Sequence, residues 1–100
     1  IKISAKKRNI EFNLTIKQMW DQFVKQNKKC ALTGLDINFP IKDKLQKTAS
    51  LDRIDSYKGY TVDNIQWVHR DINLMKMNLT QDYFIKMCCE VSKYIKNRYN

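Results

Sequence analysis

Asp52, Asn64 and Asn73 are the residues whose types and spacing can do chemistry in this sequence. Asp52 lies in a short segment with mixed faces, Ala49-Ser50-Leu51-Asp52-Arg53-Ile54, and Asn64 opens an apolar one, Asn64-Ile65-Gln66-Trp67-Val68. Between them lies a turn from Ser56 to Gly59, and Asn73-Leu74-Met75-Lys76 follows on a helical stretch. A hairpin followed by a helix carries Asp52 and Asn73 toward each other. One carboxylate and one amide oxygen can share a hard divalent cation, leaving positions for water and phosphate. Phosphodiester hydrolysis needs such a cation for the developing charge, a group that readies water, and positive groups that hold the backbone.

The elements that position these residues follow from apolar spacing. Thr15 is the predicted N-cap of a helix over residues 16–27, with Ile16, Met19, Trp20, Phe23 and Val24 on its inner stripe. Before it, Ser4 to Arg8 reads as a short helix or an arm, and Ile10 and Phe12 as an extended piece. Cys30 to Gly34 turns, and residues 35–47 form a loop around Pro40. Residues 49–54 and 64–68 are predicted strands, and Gly59 is expected to supply a positive φ between them. A helix over residues 69–78 should turn Ile72 and Met75 inward. Thr80 can cap a last helix with Phe84, Met87, Cys88, Val91 and Ile95 as its apolar stripe. The order is helix, strand, strand, helix, helix, which is α+β.

One hundred residues with 43% hydrophobic content form a single domain with a single core. The formal net charge of +9 points to a polyanion partner, because Lys and Arg that neutralise phosphates bind without regard to sequence. No basic amphipathic helix with a lipid-facing Trp/Leu side stands out, and no apolar run is long enough to span a bilayer. Three cysteines, Cys30, Cys88 and the adjacent Cys89, make a poor disulfide framework and fit a reducing compartment. The chain starts at Ile1 and reads as a fragment.

The string Leu51-Asp52-Arg53-Ile54-Asp55, Lys58-Gly59-Tyr60, Asn64-Ile65-Gln66-Trp67-Val68 and Asn73, with Lys76 after it, resembles the HNH endonuclease family. It is similar to small phage and mobile-element members. Cys30-Ala31-Leu32-Thr33-Gly34 sits where that family often begins its motif region. The resemblance covers about residues 30 to 78. It implies a ββα-metal (His-Me finger) core over about residues 48–78, flanked by an N-terminal and a C-terminal helix. It also implies one Mg²⁺ or Mn²⁺ held by Asp52 and Asn73, with Asn64 bracing the hairpin. Lys76, a turn after Asn73, would contact phosphate or support the loop. DNA is the implied substrate, and the bacterial or phage-infected cytoplasm the implied setting. No small-molecule cofactor is expected.

Two positions depart from the family. Where its general-base histidine stands, this chain has Arg53, which stays protonated and cannot act as an ordinary base. Arg53 could instead clamp phosphate or pair with an acidic neighbour. Asp55 and His69, the single histidine, are the alternative bases; each has a plain structural role, in the turn and at the helix start. The family's two cysteine knuckles read here as Cys30, Thr33, His69 and Ile72, which argues against a structural zinc. Trp20, Phe23, Trp67 and the last helix would then replace the metal as the staple, with Cys88 and Tyr60 in the core. Lys58 and the basic segment with Lys6, Lys7 and Arg8 are candidate backbone contacts. Two rivals stand beside the endonuclease: a nucleic-acid-binding module that has lost cleavage with its histidine, and a protein-interaction domain whose charge is incidental.

Overall fold

The computed structural model describes residues 12–39 and 47–99. Five elements follow one another in it: α1 (Ile16–Lys25), β1 (Ala49–Arg53), β2 (Ile65–His69), α2 (Arg70–Lys76) and α3 (Gln81–Tyr99). The two strands form an antiparallel sheet, so the α+β expectation holds. The predicted segment from Ser4 to Arg8 and the loop around Pro40 lie outside the described residues.

Thr15 caps α1 as expected. Its Oγ1 accepts from the Gln18 amide at 3.1 Å, and the Gln18 Oε1 accepts from the Thr15 amide at 3.0 Å. This reciprocal box satisfies two donors that a bare helix start leaves unpaired. The helix ends before residue 27 because Asn27 and Lys28 take φ of 57° and 59°. The Lys28 amide then reaches the Phe23 carbonyl and the Asn27 amide the Val24 carbonyl, which closes the last turn.

β1 and β2 are paired with Leu51 opposite Trp67, Asp52 opposite Gln66 and Arg53 opposite Ile65. Successive strand residues face opposite sides. Leu51, Trp67 and Ile65 therefore share one face, and Ser50, Asp52 and Gln66 the other. The first face closes the core with Phe23, Cys30, Ile37 and Ala49. Phe39, Phe23 and Trp67 form a triangle of edge-packed rings, with Phe39 5.0 Å from each of the other two and those two 5.8 Å apart. The Gln26 amide spans α1 and β2, accepting from the Trp67 backbone N–H and donating to its carbonyl, both at 2.8 Å. The Trp67 indole donates to the Met19 carbonyl at 2.8 Å. Trp67 is thus a core residue, as expected; Trp20 stacks on the same cluster but leaves half its surface in solvent.

Five expectations need correction. Of the stripe expected to turn inward on α1, Ile16 and Val24 are exposed and only Met19 and Phe23 pack on the core, with Trp20 half in solvent. Met75 does not turn inward and is 59% exposed. Residues i and i+4 share a helix face, and Ile72 and Lys76 take the inward one on α2. The positive φ among the glycines falls at Gly34, at 75°, rather than at Gly59. The stripe on α3 is buried only at Phe84; Met87, Val91, Ile95 and Cys88 are exposed. Cys88 is therefore not a core residue, and α3 contributes Phe84 alone to the apolar interior. The physical reason is direction: α3 leaves the hairpin after its first turns, and no described element faces its later ones. Thr80 does cap it, accepting from the Tyr83 amide at 3.3 Å.

Candidate functional site

Asn64 stands at the mouth of β2, nearly buried, with its side chain turned into the hairpin loop. Its Oδ1 accepts from the Asp55 amide at 2.9 Å, and its Nδ2 donates to the carbonyls of Asp55 (3.0 Å) and Gly59 (2.9 Å). The loop over residues 54–64 makes few backbone bonds of its own, among them Ile54 N–H to the Asn64 carbonyl and Lys58 N–H to the Asp55 carbonyl, and the Asn64 side chain supplies three more. Asp55 completes the turn by accepting from the Tyr57 amide at 3.0 Å. Asp55 is accordingly engaged in turn formation, and Asn64 holds the loop through three hydrogen bonds.

Asp52 projects toward α2 and is 5% exposed. Its Oδ2 accepts from Lys76 Nζ at 2.6 Å and from Gln66 Nε2 at 2.9 Å. Lys76 is fully buried and also donates to the Arg53 carbonyl at 2.9 Å. Gln66 extends the network to α3 through Gln81 Oε1 at 2.6 Å. A buried ammonium without partners would be prohibitively costly, so the carboxylate and the carbonyl are what permit Lys76 to be there. Lys76 is therefore held inside against Asp52 rather than exposed on the helix for a phosphate.

Asn73 lies on the same side of β1. Its Nδ2 donates to Ser50 Oγ at 2.7 Å and, more weakly, to the Leu51 carbonyl at 3.4 Å. It shares no hydrogen bond with Asp52. Ser50 and Asp52 occupy the same strand face, so the two expected metal ligands are brought to one side of the sheet but are engaged with different partners.

Arg53 points the other way. Its Nη1 donates to the Lys58 carbonyl at 3.1 Å, and its guanidinium lies 5.3 Å from the centre of the Tyr60 ring. Tyr60 is half-buried, packed on the core and against Phe12 at 5.4 Å. Lys58 is exposed on the turn. His69 caps α2: its Nδ1 accepts from the Asp71 amide at 3.1 Å, and Asp71 Oδ2 lies 3.8 Å away. It has the helix-start role, away from the turn that carries Asp55. Lys6, Lys7 and Arg8 lie outside the described residues.

Family models, curated proteins and solved structures give no match.

Among the described residues, no group of three or more His, Cys, Asp or Glu is placed to hold a metal ion. Cys30 is buried where the family's first knuckle would begin. Burial raises its thiol pKa, but hydrogen bonds from the Thr33 side chain and from the backbone at His69, Leu32 and Thr33 outweigh it and leave the thiol below its ordinary range. For a hard cation on the α2 side, the donor chemistry does fit. Asp52 Oδ1 and Asn73 Oδ1 accept no hydrogen bond from a described residue. One carboxylate oxygen and one amide oxygen suit a Mg²⁺-like ion that keeps most of its water. The opposing influence is the Lys76 ammonium, which already neutralises the carboxylate.

Gln66, Gln81, Ser50 and Tyr60 are the site residues that sequence reasoning missed. Gln66 had a legible signal: it is a polar residue inside an apolar strand, in register with Asp52. Gln81, Ser50 and Tyr60 are ordinary until the chain folds.

Proposed function

We propose that this chain is an HNH-type, metal-dependent endonuclease domain acting on DNA, built on the β1–β2–α2 unit. The observation that carries the reading is the shared side of β1. Asp52 on β1 and Asn73 on α2 stand on the same side of the sheet, each with an oxygen that accepts from no described residue, while Asn64 ties the loop that joins the strands. Asp52 and Asn73 would hold the divalent ion, which when bound would stabilise charge on the phosphoryl oxygens and ready a water. Asn64 keeps the hairpin in register, and so keeps Asp52 at its height on the strand. The +9 charge supports an anionic partner. No helix among the described residues is long and apolar enough to cross a membrane. A reducing cytoplasm is the proposed compartment, in keeping with three free cysteines.

One observation favours a second reading, the binding module without cleavage. Asp52 is already paired with Lys76 inside the protein, and the position of the family's base is filled by Arg53. Supercoiled plasmid with Mg²⁺ or Mn²⁺ separates the two. Nicking by the wild type that disappears in Asp52→Ala and Asn73→Ala supports the endonuclease. Salt-sensitive DNA binding with no metal-dependent nicking favours the module. Equal nicking by all three proteins removes the site assignment.

A further inference from the structure

We propose that Arg53, presented by Tyr60, forms a phosphodiester-backbone site on the face of the hairpin opposite Asp52 and Asn73. The proposal rests on the nucleic-acid reading above and adds to it a second, separate point of contact. Asp52 and Arg53 are neighbours in a strand, so their side chains leave the sheet on opposite sides. Asp52 is closed in beneath α2, whereas Arg53 stands over Tyr60. A phosphate held by Arg53 is therefore not the one addressed from the Asp52 side. It is a flanking phosphate, and Arg53 is a binding residue rather than a substitute for the missing histidine.

Three observations make Arg53 an anion acceptor. It is half-buried, yet none of the ion pairs among the described residues includes it. A partly desolvated charge without a counter-charge favours a bound anion. Second, its orientation is set beforehand. The Lys58 carbonyl takes one N–H, and the Tyr60 ring supports the guanidinium plane. Tyr60 is itself fixed, because Phe12 packs on its ring and the Asn13 amide donates to its carbonyl at 2.9 Å. Third, among the described residues only the Lys58 carbonyl takes a hydrogen bond from the Arg53 side chain, which leaves most of the five guanidinium donors in a fork that matches two phosphate oxygens. Lys58 adds an exposed ammonium on the same turn. A carboxylate ligand would satisfy the fork equally, but the chain's +9 charge selects a polyanion. Tyr60 is a positioning residue here: it acts through Arg53.

The test measures fluorescence anisotropy of a labelled DNA duplex over a salt series, with Arg53→Gln, Tyr60→Leu, Tyr60→Phe and the double variant Arg53→Gln/Tyr60→Leu. Circular dichroism confirms that each variant is folded. Loss of one phosphate contact should flatten the log–log salt slope by about 0.9. Arg53→Gln should also weaken binding roughly tenfold or more, as expected for a hydrogen bond to a charged group. Tyr60→Leu should weaken it about two- to fivefold, Tyr60→Phe should restore it, and the double variant should bind no worse than Arg53→Gln. A wild type that binds duplex while Arg53→Gln matches it in slope and affinity overturns the proposal and leaves the nucleic-acid reading standing. So does full additivity in the double variant. Inorganic phosphate titrated against the Arg53 Nε–H resonance gives the other arm. A saturable shift in a protein that ignores duplex supports the anion site and refutes the nucleic-acid reading. No shift with phosphate and no duplex binding overturn both.

Discussion

Replacing Lys76 by Met should be among the most destabilising single changes this domain can suffer. The substitution keeps an unbranched chain of similar length and removes only the ammonium. Lys76 is 0% exposed, and its Nζ makes two contacts, to Asp52 Oδ2 at 2.6 Å and to the Arg53 carbonyl at 2.9 Å. Asp52, itself 5% exposed, would keep only Gln66 as a partner. Removing one member of a buried pair typically costs about 3–5 kcal/mol, because the other charge stays buried without compensation. For a domain whose total stability is on the order of 5–15 kcal/mol, that is a large share. It corresponds to a drop in Tm of at least about 12 °C at this size. Lys17→Met serves as the control, since the Lys17–Asp21 pair has side chains 83% and 58% exposed and should cost below about 1 kcal/mol. Urea unfolding followed by the fluorescence of the buried Trp67 measures both. The double variant Asp52→Leu/Lys76→Met should recover most of the loss, since apolar replacement of a buried pair is often neutral. A Lys76→Met cost under about 1 kcal/mol would refute the reasoning, because it would mean that Asp52 finds water or another partner when the ammonium is gone.

Further outcomes follow from the same geometry. Asn64→Ala removes three hydrogen bonds from the hairpin loop and should lower stability by about 3 kcal/mol or more, since each stranded backbone group costs about 1–3 kcal/mol; a urea titration reads it. Phe84→Ala should cost about 3 kcal/mol or more, the usual range for a buried aromatic, whereas Val91→Ala on the exposed part of α3 should stay within about 0.5 kcal/mol; equal values for the two would contradict the orientation of α3. The Cys30 pKa is lowered in the folded state, so over the range below the ordinary thiol value the unfolded chain binds more protons. Stability conferred by Cys30 should then rise with pH through that window and vanish below the folded-state pKa. Comparing pH profiles of the wild type and Cys30→Ala checks the sign.

Local elements were legible because local physics sets them. The Thr15-Ile16-Lys17-Gln18 start carries its own capping box, whereas the apolar spacing on α1 marks a wider stripe than the core covers: Met19 and Phe23 turn inward, and Ile16 and Val24 stay exposed. The strands around Asp52 and Trp67 appear within one residue of their expected ends. A bracing Asn64 is what the family resemblance implies rather than what its neighbours in the chain dictate; its three bonds to the loop are a product of the folded hairpin. The α3 stripe was misread because amphipathic spacing says that a face wants cover, not that cover exists. Met75 was misread because a short helix can be rolled by a single strong contact, here the one made by Lys76.

The sequence by itself determined the elements, the +9 charge and the order of Asp52, Asn64 and Asn73, all of which depend on neighbours in the chain or on composition alone. Only the tertiary structure decided what those residues touch. It turned Lys76 inward onto Asp52, set Gln66 and Gln81 behind the carboxylate, and sent Arg53 to the other face against Tyr60. Burial is a property of the assembled layers. A lysine in a sequence is a surface charge until a carboxylate and a carbonyl meet it in the interior and replace its water.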